Sequence, residues 1–152
     1  MMNDTAHYNG IEGDYKILAK FVYIYETQIC LYNSLFALSA EFHETAQYFN
    51  RSVQKYLLYV SIDEINGRKN LVKKGKQTLF FTKHKYQFYD FCRHLRNSFC
   101  HAHLWKNEAV LFVPDRKGGK TITSKGCIEY SLVIVFLRKL IAEYESRFTN
   151  ER

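Results

Sequence analysis

From Asp14 to Asn66 the chain contains neither glycine nor proline, and its apolar residues recur at helical spacing. Ile17, Leu18, Phe21, Ile24 and Tyr25 predict a first helix opened by Asp14 as N-cap and running through Cys30 or beyond. The polar run Ser39 to Glu44 predicts a break. Ala46, Phe49, Val53, Tyr56, Leu57 and Val60 then predict a second helix, closed by Asn66-Gly67. A basic loop follows from Arg68 to Gln77. The next pattern predicts a third helix from about Thr82 to Leu104, with Tyr86, Tyr89, Cys92, Arg96 and Phe99 on successive turns.

Beyond it the period changes. Ala109 to Val113 predicts a strand, Pro114 to Gly119 a turn, and Lys120 to Thr123 a return strand, with Val110–Val113 antiparallel to Thr121–Thr123. Ser124 is expected to cap a closing helix whose stripe runs through Ile128, Leu132, Phe136, Leu140 and Tyr144, widened by Val133, Leu137 and Ile141. The expected fold is all-α, an up-and-down bundle of four to five helices with a small β-hairpin before the last. Residues 1–13 form a loose lead-in and 14–150 a single domain.

Composition narrows the partners. An apolar content of 47% excludes a disordered chain. The longest uncharged stretch, Thr27 to Ala40, is too short and too polar to span a bilayer, and the first residues lack a signal peptide's pattern. A cytoplasmic protein is expected, with Cys30, Cys92, Cys100 and Cys127 reduced, because no paired spacing marks a zinc site. The net charge of +7 favours a polyanionic partner. Its carriers are grouped, Arg68, Lys69, Lys73, Lys74 and Lys76 in one loop and Arg116, Lys117, Lys120 and Lys125 around another. Of these Arg68, Lys69, Lys73, Lys74, Lys76, Lys117 and Lys120 are expected to contact RNA phosphates.

The chemistry is concentrated in Arg96-Asn97-Ser98-Phe99-Cys100-His101, at the end of the third predicted helix. In a chain of this composition a bare Arg-to-His spacing arises roughly once by chance, so Asn97 and the surrounding elements give the motif its weight. An imidazole suits proton transfer near neutral pH, and a guanidinium offers paired donors to phosphate oxygens. Asn97 and His101 share a helical face, whereas Arg96 and His101 lie about 140° apart. A single straight helix therefore does not present Arg96 and His101 together.

The segment from Phe91 to Trp105 resembles the signature of HEPN-domain ribonucleases, in which four to six residues separate an Arg, commonly followed by Asn or another polar residue, from a His. The resemblance implies a metal-independent endoribonuclease with catalytic Arg96, Asn97 and His101, and with His103 as a further candidate at the longer spacing. It implies no cofactor and no metal. It also implies a homodimer with a composite site, a toxin or defence role, and in some members an antitoxin partner. An acidic residue of the first half commonly holds the motif Arg, and Glu26, Glu41 and Glu64 are the candidates here. His84 and His94 carry only a surface reading. The alternative is a non-catalytic HEPN module that binds RNA or nucleotide, or that serves as a dimerisation scaffold.

Overall fold

A computed structural model describes residues 10–67 and 77–148. The fold is mixed α/β and not the all-α bundle expected. Helix α1 spans Tyr15–Thr27, and the expected break splits the next segment into α2 (Leu35–Glu41) and α3 (His43–Tyr48). Phe42, between these two helices, has no side-chain oxygen to cap α3. The Glu143 carboxylate, from the last helix, accepts the Glu44 and Thr45 amides at 3.0 and 2.7 Å instead.

The predicted second helix does not continue through Val60. After Tyr48 it loosens into a π-turn at Phe49–Val53, tightens into a 3-10 turn at Gln54–Tyr56, and then extends as strand β1, Leu57–Tyr59. Leu57 retains helical spacing from Val53, so its pattern reads as helix although its backbone is extended. Ser61 then opens α4 (Ile62–Asn66) with a capping box to Glu64. Strand β2, Leu79–Phe81, was not expected, because three buried apolar residues carry no period. It runs parallel to β1, with Leu57 opposite Leu79.

Helix α5 is Gln87–Cys100, shorter at both ends than predicted. Strands β3 (Trp105–Asn107), β4 (Val110–Phe112), β5 (Asp115–Lys117) and β6 (Thr121–Glu129) follow. The six strands form one sheet ordered β1-β2-β6-β4-β3, with β5 also on β6. The predicted pairing of Val110–Val113 with Thr121–Thr123 is not formed, because strand β5 occupies the expected turn and takes those partners. Thr121 and Ile122 pair with Lys117 and Arg116 of β5, whereas Val110 to Phe112 pair with Glu129 to Cys127 further along β6. Ser124 does not cap a helix. It lies buried within β6 with its hydroxyl donating to the Val113 carbonyl, and helix α6 begins at Tyr130, running Tyr130–Phe148. Asp14 likewise gives no side-chain cap to α1, its carboxylate accepting the Tyr130 hydroxyl at 2.5 Å.

The core lies where α1, α5 and α6 meet. Phe49, Phe88, Phe91 and Phe136 interlock with ring centroids 5.1 to 5.9 Å apart, at tilted and edge-on angles. On α6 the expected stripe is buried at Val133, Phe136, Leu137, Leu140 and Ile141. Among the described residues no helix is long and apolar enough to cross a membrane.

Strand β6 changes neighbours at Gly126, pairing with β2 up to that residue and with β4 after it. Gly126 has φ +114°, and a Cβ there would stand 2.2 Å from the Thr78 carbonyl oxygen. Gly126→Ala is therefore expected to lower unfolding free energy by at least about 2 kcal/mol. At the exposed turn, Gly118→Ala meets open space and should lose only about 1 kcal/mol for its left-handed backbone. Chemical denaturation of the two variants checks this, and equal losses would contradict it.

Candidate active site

Helix α5 is fixed at both ends by buried carboxylates. Near its start, the Asp90 carboxylate accepts the backbone amides of His84 and Lys85 at 2.9 and 3.0 Å and the Tyr59 hydroxyl at 2.6 Å. This ties the 82–86 segment into a loop and starts the helix at Gln87, later than predicted. On the last turns of α5, Asp115 at the head of β5 plays the equivalent part. One oxygen, Oδ2, accepts from His94 Nδ1 at 2.9 Å and from Asn97 Nδ2 at 3.1 Å.

From Asp115 the bonding continues outward. Asn97 Oδ1 accepts from Arg96 Nη1 at 2.8 Å. Arg96 Nε donates to Glu26 Oε2 at 3.0 Å, and Nη2 bonds the same oxygen. The network thus runs from buried His94 through Asp115, Asn97 and Arg96 to Glu26 on α1. It crosses from the core to a half-exposed pair at the surface, where the Arg96 side chain is 29% exposed.

The electrostatics follow from these contacts. Burial alone would push the Asp115 carboxyl up. Hydrogen bonds from His94 and Asn97, with the charges of His94 and Arg93, outweigh it and hold the group below its usual 3.8. The Glu26 hydrogen bond raises Arg96 further above its already high value, against a smaller opposing effect of burial.

Of the three acidic candidates, Glu26 holds Arg96. Glu41 instead pairs with Arg147, and Glu64 completes the Ser61 capping box. Arg96 and Asn97 are brought into direct contact. His101 is the C-cap of α5, its backbone N–H donating to the Asn97 carbonyl, and its ring is exposed. His103 is exposed beside it, ring centroids 6.2 Å apart. Between them Ala102 takes a left-handed backbone, φ 60°, while the Ser98 carbonyl accepts the His103 and Leu104 amides. That turn ends the helix at Cys100, short of the predicted Leu104.

Lys117 and Lys120 are exposed at the β5–β6 hairpin, whose first strand begins at Asp115. Arg68, Lys69, Lys73, Lys74 and Lys76 lie outside the described residues. His84 is exposed and stacks on Tyr89, consistent with its surface reading. His94 corrects its surface reading, for it is fully buried and stacked on Phe81 at 5.4 Å. Its position three residues before Asn97, on the same side of the helix, was the available signal. Asp115 was missed because Pro114-Asp115-Arg116-Lys117-Gly118-Gly119 reads as a polar turn, although its second residue is buried. Among the described residues no cluster of His, Cys, Asp or Glu could hold a metal ion.

Concavities of about 720, 440 and 400 Å³ lie along α6, and Arg96, Asn97, His101 and His103 line none of the three. Comparisons with protein-family models, curated proteins and solved structures find no match.

Because Asp115 has a lowered pKa in the folded state, its contribution to stability is complete above about 3.8 and is lost as the pH falls through the folded value. Asp115→Asn should cost about 1–3 kcal/mol at neutral pH. The gap between wild type and variant should close in acid. Denaturation followed by circular dichroism at stepped pH checks both points, and a gap of constant size down to strong acid would contradict the assignment.

Proposed function

We propose that this protein is a metal-independent endoribonuclease that cuts RNA by attack of the 2′-hydroxyl on the adjacent phosphate. One observation carries the reading. Arg96 is held by an acidic residue of the first helix and by its neighbour Asn97, at the end of a helix that leaves His101 and His103 exposed. This is the local arrangement that the HEPN resemblance implies. The mixed sheet departs from the helical bundle that the same resemblance implies, so the reading stands on the motif's geometry.

The reaction needs a base, a cation and an acid. His101 takes the proton from the 2′-hydroxyl as its oxygen bonds to phosphorus. The P–O5′ bond then breaks, and the leaving 5′-oxygen takes up a proton from a second imidazole or from water. The products are a 2′,3′-cyclic phosphate and a 5′-hydroxyl. Arg96 donates to the negatively charged phosphorane oxygens through N–H groups not bound to Glu26 or Asn97. The basic β5–β6 hairpin, rooted at Asp115, supplies phosphate contacts through Lys117 and Lys120. We place the protein in the cytoplasm, where its four free cysteines are stable.

RNA should be cleaved in EDTA, with cyclic phosphate ends detected by mass spectrometry. His101→Ala and Arg96→Ala should each slow cleavage by about 10² to 10⁴ while leaving the fold intact. Cleavage that requires added Mg²⁺, or that survives His101→Ala, would count against the chemistry. The pairing of Arg96 with Glu26 favours a second reading, a non-catalytic RNA-binding module, because it offsets the cation's charge. RNA binding with no cleavage by the wild type would decide for that reading.

We also propose that the site is completed by a second copy of the chain. On an ideal helix Arg96 and His101 would be about 140° apart, so a twofold axis near α5 would bring one protomer's Arg96 toward the other's His101. Mixing Arg96→Ala with His101→Ala subunits should restore part of the activity, since one intact pair remains in each mixed dimer. Full activity from a monomer in sedimentation would exclude a composite site.

A further inference from the structure

Arg93 lies on the same half-buried strip of α5 as Arg96 and Asn97. On an ideal helix it is about 60° from Arg96 and about 40° from Asn97, one turn toward the N-terminus. Its side chain is half-buried. Among the described residues it makes no hydrogen bond and no ion pair. Its charge nonetheless reaches two groups of the site, favouring the ionised forms of Asp115 on one side and Tyr25 on the other.

Arg96 differs in each respect. Glu26 and Asn97 take three of its N–H donors, and the Glu26 carboxylate offsets its charge. A phosphate approaching α5 therefore meets an oriented, ion-paired guanidinium at Arg96 and, a turn away, one whose N–H donors are not engaged. Beyond Arg93 the helix surface leads to the Lys85 ammonium, which sits 4.4 Å over the ring of the buried Tyr89. One helical turn, about 5.4 Å, is close to the length of one nucleotide step.

We propose that Arg93 binds the RNA phosphate adjoining the one cleaved, so that the substrate strand runs along α5 from the motif toward Lys85. The proposal rests on the ribonuclease reading above and assigns to a residue outside the motif the task of anchoring the strand. Arg93 is then a substrate-binding residue, while Arg96, steered by Glu26 and Asn97, addresses the reacting phosphate.

The test uses a fluorescent 2′-O-methyl oligoribonucleotide, which cannot be cut because its 2′-oxygen is blocked. Its affinity is measured by anisotropy at several salt concentrations for wild type, Arg93→Gln and Arg93→Lys. Arg93→Gln should weaken binding about tenfold at low salt. It should also flatten the plot of log K against log salt by about 0.7, the amount for one phosphate contact on a single strand. Arg93→Lys should keep the wild-type slope, and all three proteins should unfold at the same denaturant midpoint. An unchanged slope and affinity in Arg93→Gln would overturn the proposal, as would a wild type that does not bind the oligonucleotide. A shifted midpoint with an unchanged slope would assign Arg93 to the fold instead. The two readings fail separately. Cleavage of natural RNA with Arg93-independent binding removes only the Arg93 assignment, and Arg93-dependent binding without cleavage removes only the nuclease.

Discussion

The Asp115 carboxylate is the group on which this structure turns. It is almost fully buried, and a buried charge is tolerated only when it is hydrogen-bonded. His94 and Asn97 supply those bonds from consecutive turns of one helix, so a single oxygen docks the start of β5 against α5. The same contact orients the Asn97 amide. With Nδ2 committed to Asp115, its Oδ1 is turned toward Arg96, and Arg96 is steered toward Glu26. The demand for satisfied buried polar groups thereby fixes the direction of side chains at the surface.

Asp90 performs the matching task at the other end of α5. Its bonds to the His84 and Lys85 amides and to the Tyr59 hydroxyl link the helix to the preceding loop and to β1. With a buried carboxylate near each end, α5 is tied to the sheet at β1 and at β5. Its apolar face meanwhile packs into the phenylalanine cluster shared with α6. The half-buried strip of Arg93, Arg96 and Asn97 is what remains after those constraints are met.

Much of this was legible in the residues, though unevenly. The long periodic segments α1, α5 and α6 declared themselves by their apolar spacing, and the break near Phe42 fell where the pattern faltered. The short strands β1 and β2 did not. Leu57 and Val60 continue a helical spacing, and Leu79-Phe80-Phe81 is buried throughout and so has no alternation to read. A parallel pair between them depends on contacts distant in sequence. The hairpin's existence was readable from Gly118-Gly119, but its register was not, because β6 is long enough to serve β5, β2 and β4 in turn. At the site, Arg96, Asn97 and His101 stood out by spacing. Choosing Glu26 over Glu41 and Glu64, and finding His94 and Asp115, required knowing how α1 and β5 lie against α5.

We propose that Asp115 orients Asn97, and through it Arg96, for phosphodiester cleavage. A double-mutant cycle on single-turnover RNA cleavage tests it directly, using Asp115→Asn, Asn97→Ala and the combined variant. If Asp115 acts through Asn97, removing Asn97 should slow cleavage strongly in the wild-type background and add little once Asp115 is Asn. Rate losses that simply multiply would show two residues acting independently and would contradict the account.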